Sequence, residues 1–392
     1  MSTPLRICIA INKDGATLRP SESFLRAHIE RLPGQKYPLI GIPGARRLGV
    51  NEGRFLLSQQ LIWRALRRGI RAVRGFTTLD QDTPSVVRLL RRERIDVVLA
   101  EYGPTAVSIQ RACAEANVPL VTHFHGWDAY VLATDPARAA DYRALFSQSE
   151  AIVAVSRHMR EHLKSLGAPP DRVIWNPCGA DPNRAIPARP AATPPIFVAI
   201  GRAAPKKALI VTLLAFAQVH RNLPDARLEI VGAQLDAPTY QTLRALKIEE
   251  QVALLGTMAH DKVLERLSMA RCYVHPSVTA PDGDMEGTPV SILEAMAAGL
   301  PVVSTRHGGI VDVLNGKAGG LLVDEYDVDA TADAMLTYAR DPDRAARDGA
   351  VARRELEIRW SMARSVSRLA QIVEASAAKD SATISRQAQE EY

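Results

Sequence analysis

The sequence predicts an α/β protein built from two doubly wound domains, and three observations carry that prediction. The chain has 392 residues, more than one ordinary domain of roughly 100 to 200 residues holds. Short β-branched runs recur between longer stretches of helical spacing, the alternation of a parallel sheet with crossover helices. That alternation breaks at 176–195, where Pro177, Pro182, Pro187, Pro190, Pro194 and Pro195 prevent a regular helix or central strand.

In chain order, Leu5 to Ala10, Ile95 to Ala100, Leu120 to His123 and Ile152 to Val155 read as buried parallel strands. Segments such as Thr105 to Ala116 and Arg157 to Leu166 have helical spacing between them. After the proline-rich break come Ile196 to Ile200, Arg227 to Val231, Val252 to Leu255, Tyr273 to His275, Pro301 to Ser304 and Gly320 to Val323, each followed by a turn or helix. The expected organisation is an N-terminal domain over 1–180, a linker over 181–195 and a second domain over 196–355. A helix over 356–377 is expected to pack back on the first domain. Residues 378–392 lack an evident apolar stripe and read as a loose tail. Open α/β sheets bind ligands at the carboxyl ends of their strands, so function is sought there and in the cleft between two such domains.

Apolar residues make up 47% and charged residues 23% of the chain, which excludes a disordered or fibrous protein. No stretch approaches the ~18 consecutive apolar residues of a membrane-spanning helix. The N-terminus shows no secretory leader pattern, so a cytoplasmic protein is expected. Cys8, Cys113, Cys178 and Cys272 are widely spaced and read as reduced, mostly buried thiols.

The net charge of +6 is uneven. Residues 1–190 carry 27 Lys/Arg and 17 Asp/Glu, a balance of +10, and the remainder carries 22 and 26, a balance of −4. Arg64, Arg67, Arg68, Arg71 and Arg74 share a helical stretch with Leu61, Ile62 and Trp63. That pattern fits either a helix on an anionic membrane surface, which would make the protein peripheral to the inner face, or an arginine-rich solvated face. Aromatics are few in this region and no nucleic-acid motif occurs, so nucleic acid is not an expected partner.

Three segments carry candidate chemistry. In Asp284 to Gly309, Thr288 as N-cap and Pro289 as first residue predict a helix running to Ala298 and ended by Gly299, with N-terminal amides that favour an anion. Glu286 precedes this helix. Glu294 lies inside it among apolar neighbours, where a buried carboxylate would need donors such as sugar or ribose hydroxyls; otherwise it points to solvent. The second segment is Gly201-Arg202 with Lys206 and Lys207, at the end of a strand, placed for phosphate or simply a solvated basic turn. The third is the turn His123-Phe124-His125-Gly126-Trp127-Asp128, in which His125 could meet a substrate hydroxyl or a phosphate. The His123/His125 pair lacks an obvious third metal ligand and Asp282-Gly283-Asp284 resembles an ordinary turn, so no metal site is expected. A Rossmann oxidoreductase would need a G-x-G-x-x-G turn after the first strand, and Ile11 to Gly15 holds none.

Together with Glu22 to Pro33, Tyr102 to Thr105, Val155-Ser156 and Asn176 to Gly179, these segments resemble the family 4 retaining glycosyltransferases of GT-B fold. The likeness is closest to members that build bacterial exopolysaccharide or lipopolysaccharide. The Glu286/Glu294 pair followed by Ala295-Met296-Ala297 is its most specific element. The resemblance implies a nucleotide-diphosphate sugar as donor and a saccharide or lipid-linked saccharide as acceptor. It implies that Gly201, Arg202 and Lys207 hold the diphosphate, with Gly287, Thr288 and Val290 beside it, and that Glu294 holds the ribose. It places Glu286 on the donor sugar and His125 near the transferred sugar, with no cofactor or essential metal. A catalytically silent GT-B-like protein that only binds a nucleotide sugar is the alternative. Where glycine is common in the family, this chain has Ala208.

Overall fold

The computed structural model describes residues 4–12, 22–41, 47–48, 54–55, 83–201, 204–232, 234–315 and 318–392. Arg202 and the basic cluster Arg64, Arg67, Arg68, Arg71 and Arg74 lie outside the described residues.

The chain forms two compact units. The first comprises 1–176 and 366–392, and the second is the continuous segment 177–365. The first unit is built on eight described strands: β1 (Arg6–Ile11), β2 (Gln35–Ile40), β3 (Arg47–Leu48), β4 (Arg54–Phe55), β5 (Val97–Glu101), β6 (Leu120–Phe124), β7 (Ala151–Ala154) and β8 (Val173–Trp175). They lie in the order β4-β3-β2-β1-β5-β6-β7-β8. All pairs from β2 to β8 are parallel, and β3 and β4 join antiparallel.

The second unit's sheet contains β9 (Ile196–Ile200), β10 (Arg227–Val231), β11 (Val252–Gly256), β12 (Cys272–His275), β13 (Val302–Thr305) and β14 (Gly320–Val323). Its order, β11-β10-β9-β12-β13-β14, is the 3-2-1-4-5-6 arrangement of a doubly wound sheet. The order reverses between β9 and β12 here, and between β1 and β5 in the first unit.

Burial explains why the strands read as continuous apolar runs. β5, β6, β7 and β12 are buried along their whole length, as expected of parallel strands covered on both faces. In the second unit Phe197, Leu213, Phe216, Leu228, Val274 and Tyr338 form one continuous core. Each fully buried side chain of this kind contributes roughly 1.5–3 kcal/mol. All four cysteines are buried and none is in a disulfide. Among the described residues, no helix is long and apolar enough to cross a membrane.

Three boundaries differ from those the sequence suggests, the first being that the leading segment of the first unit ends at 176 and not at 180. Segment 181–195 packs within the second unit: the Ala188 amide donates to the Ala298 carbonyl, and Arg184 pairs with Asp261. Gly179 admits the adjacent backbone, since a Cβ there would stand 2.6 Å from the Ser361 carbonyl oxygen, and Ala180 bridges to Ser361. Residues 378–392 are not a loose tail. They form the helix Ser381–Gln389, capped by Asp380, with Ile384 and Ala388 buried in the first unit. Beyond it Tyr392 packs on Trp175, and Glu391 pairs with Arg157 and Arg160. Its apolar residues, Ile384, Ala388 and Tyr392, are four apart, a stripe too thin to stand out in so polar a segment.

Candidate donor site at a sheet switch point

Lys207 is delivered by the turn that follows β9. After Gly201 the chain makes a single 3-10 turn, Pro205–Lys207, and passes through Ala208 at φ 44°, ψ 44° into the helix Leu209–Asn222. The two adjacent lysines diverge in role. Lys206 turns inward, where Nζ donates to Asp284 Oδ1 at 2.9 Å and to the Met285 carbonyl at 3.0 Å, so it braces the loop before Glu286 instead of facing a phosphate. Lys207 lays its stem against Gly201, where a Cβ would come within 3.3 Å of Lys207 Cγ. The strand-end glycine thus makes room for this side chain.

Lys207 Nζ lies 2.7 Å from Glu286 Oε1 and 3.3 Å from Nε2 of His275, the last residue of β12. The Ser277 hydroxyl donates to the same carboxylate oxygen at 3.3 Å. Burial works to raise the Glu286 pKa, but Lys207, with His275 and Lys206, holds it well below the ordinary carboxylate range. His275 is pushed down to about 4 by burial and then by Lys207, so its ring is neutral near pH 7. An ammonium has no acceptor, so His275 accepts through Nε2 and carries its proton on Nδ1, 3.1 Å from the Tyr273 hydroxyl. The group stands at the carboxyl ends of β9 and β12, where the strand order reverses.

The Glu286 backbone is fixed from the other side. Its amide donates to His307 Nε2 at 3.0 Å, and Glu325 Oε1 holds His307 Nδ1 at 2.6 Å, which sets the tautomer. The Gly309 amide donates to the Glu286 carbonyl at 3.2 Å. Gly308, at φ 43°, lets that carbonyl approach, since a Cβ would sit 2.5 Å from its oxygen.

Gly287 and Thr288 are buried beside Glu286. The helix that follows spans Val290–Ala298 and ends at Gly299 in the left-handed region. Its cap is Pro289, at φ −73° and ψ 106°, one residue later than the sequence suggests. Proline offers no side-chain acceptor, so the cap makes no side-chain bond to the Val290 and Ser291 amides, while the Ile292 amide donates to the Pro289 carbonyl at 3.0 Å. Glu294 is neither solvated nor sealed in. It is half-buried and accepts from His260 Nε2 at 2.7 Å, through Oε1.

His125 belongs to the first unit. Asp128 organises its turn, accepting from the His125 and Gly126 amides through Oδ1 and from the Gly103 amide through Oδ2, at 2.9–3.0 Å. The imidazole Nε2 is 2.7 Å from Glu101 Oε2. The sequence reading missed Glu101, His28, His260, His275, His307 and Glu325. Only His275, at a strand end, and His307, beside two glycines, carried a local signal.

Two family models match the chain. "Glycosyltransferase Family 4" covers residues 45–184 and "Glycosyl transferases group 1" covers 184–355. A GDP-mannose-dependent alpha-(1-6)-phosphatidylinositol monomannoside mannosyltransferase of Mycolicibacterium smegmatis is 30% identical over 79% of this chain and 85% of its own. The putative colanic acid biosynthesis glycosyltransferase WcaL of Escherichia coli is 32% identical over 63% of this chain, which spans 62% of that relative's length. Among solved structures, Anabaena Alr3699/HepE in complex with UDP and glucose superposes with a TM-score of 0.69 at 19% identity, over 94% of this chain and 99% of that one. The architecture is the two-domain α/β GT-B fold. The chain belongs to glycosyltransferase family 4.

Proposed function

We propose that this protein is a retaining glycosyltransferase. It moves a sugar from a nucleotide-diphosphate sugar to a saccharide or lipid-linked saccharide in cell-surface polysaccharide biosynthesis. The observation that carries this reading is the Lys207–Glu286–His275 cluster at the switch point of the second sheet. A fixed ammonium and a helix start without a side-chain cap suit a leaving diphosphate, whose charge grows in the transition state. The family resemblance assigns Arg202, which lies outside the described residues, to the same diphosphate. Glu286, ionised and held by its backbone, meets hydroxyls of the donor sugar. Glu294 keeps Oε2 for the ribose while Oε1 is engaged by His260. His125 contacts the transferred sugar. Transfer needs no divalent metal, because fixed positive charge and amides do that work.

The roles for which the relatives are named, colanic acid biosynthesis and GDP-mannose-dependent transfer to a phosphatidylinositol mannoside, support a cell-surface glycan product and a lipid-linked acceptor. A lipid acceptor gives the arginine cluster at Arg64 to Arg74 a use in docking at the inner face of the membrane.

The test is to incubate the purified protein with UDP- and GDP-sugars, with and without chelator, and to follow donor hydrolysis and thermal stabilisation. Stabilisation by one donor with turnover that persists in chelator is expected. Binding without turnover for every donor would identify a silent nucleotide-sugar binder, and abolition by chelator with recovery on Mn²⁺ or Mg²⁺ would overturn the metal-independent reading.

A further inference from the structure

The carboxyl end of β5 buries a charge with no lysine or arginine partner among the described residues. Glu101 is fully buried, and three imidazoles surround it. His28 Nδ1 is 2.6 Å from Oε1; His125 Nε2 and His123 Nδ1 are 2.7 Å and 3.2 Å from Oε2. The topology assembles this group. Glu101 and His123 are register partners across β5 and β6, and His125 follows two residues later. His28 comes from the helix Ser23–Arg31, and Phe24, one turn earlier, places its ring 4.5 Å from that of His125. On another side the Tyr102 ring lies 4.7 Å away, on a backbone held at φ 72° where β5 turns into the next helix. A non-glycine residue in that region marks a position fixed by its surroundings.

Histidines and a carboxylate in one buried cluster also suggest a metal centre, but the distances do not fit one. Two ligand atoms each about 2.0–2.2 Å from a common zinc ion in tetrahedral geometry stand more than roughly 3 Å apart. The 2.6 and 2.7 Å separations belong to shared protons. Burial works against the Glu101 charge, yet His28 and His123 hold its pKa well below the ordinary range, so it is an acceptor at neutral pH.

We propose that Glu101 is a positioning residue for His125. By accepting Nε2–H it fixes the ring in one orientation and, in its neutral form, in one tautomer with Nδ1 as the accepting nitrogen, while His28 holds the other carboxylate oxygen. The inference deepens the assignment of His125 to the transferred sugar and rests on it for its functional consequence. The tautomer itself does not depend on that assignment. A ring held in one orientation lowers the cost of aligning a sugar against it.

The experiment combines nitrogen-15 NMR of histidine-labelled protein with steady-state kinetics. The His125 signal, assigned by its loss in His125→Asn, is expected in the Nε2–H form in the wild type and as a mixture of tautomers in Glu101→Gln. Turnover of Glu101→Gln is expected to fall about tenfold or more while donor KM stays within about twofold. His28→Asn, which loosens the carboxylate without removing it, is expected to give a smaller change in the same direction and serves if Glu101→Gln does not fold. An unchanged His125 tautomer in the folded variants overturns the inference, as does one equivalent of tightly bound transition metal in wild-type protein that Glu101→Gln lacks. If wild-type protein transfers no sugar from any donor, the functional reading fails while the NMR result still decides the positioning role.

Discussion

Lys207 and Glu286, 79 positions apart in the chain, form one ion pair at 2.7 Å, although the family pattern assigns them to different parts of a donor. The pair keeps an ammonium at the switch point without leaving its charge unbalanced. Removing one partner of a largely buried pair leaves the other uncompensated.

Lys207→Ala is therefore expected to lose stability as well as activity, by about 3 kcal/mol. Adding Glu286→Gln to it should recover most of the stability and none of the turnover. Denaturant melts of the single and double variants give the coupling, and additive losses would show that the two side chains do not support each other.

Gly308→Ala tests the clamp on the Glu286 backbone. A methyl group 2.5 Å from the Glu286 carbonyl oxygen, on a residue at φ 43°, must push that segment away. Turnover should fall sharply while nucleotide binding, proposed to depend on Glu294 on the following helix, is retained. Inhibition by the free nucleoside diphosphate measures the second, and wild-type turnover in this variant would contradict the clamp.

Ala208 occupies a left-handed conformation at φ 44°. The strain of an L-residue there is roughly 1–2 kcal/mol, and the entropy cost of glycine in the unfolded chain offsets about 0.4–1 kcal/mol of it. Ala208→Gly should raise the melting temperature slightly and leave donor KM unchanged. A lower melting temperature would mean the position is not strained.

Acid should destabilise the protein earlier than its carboxylates alone would. His123 and His275 are held near 4 by burial, against about 6.5 in the unfolded chain. Between these values the unfolded state binds more protons, so stability falls as the pH drops from 6.5 towards 4, by at most about 1.4 kcal/mol per pH unit for each histidine. Glu101 and Glu286, both depressed, add losses at lower pH still. Urea unfolding from pH 7.5 to 4.5 should show this slope, reduced in His275→Gln; a flat profile would mean that both rings titrate normally.

The strands, and the residues proposed for the donor site, stand out because their signals are local. The alternation of β-branched runs marks each parallel strand, and Glu286, Thr288 and Glu294 lie within one nine-residue stretch. What the sequence did not reveal depends on contacts made far along the chain. Nothing near Lys206 and Lys207 indicates which one turns towards Glu286, since the 3-10 turn and the left-handed Ala208 decide it. Glu101 looks like an ordinary strand-end acid until His28, 73 positions earlier, is folded onto it. The helix Ser381–Gln389 depends on apolar residues whose partners, Trp175 among them, lie more than 200 positions away.

The return of residues 366–392 to the first unit has a consequence for how the protein is made. The second unit is one uninterrupted segment and can close as soon as it leaves the ribosome. The first cannot: Trp175 waits for a cover that is translated some two hundred codons later. During that interval the nascent chain exposes an unfinished sheet face, a state in which apolar surface invites aggregation. The order of maturation is thus the reverse of the order of synthesis, with the earliest-made strands completed last.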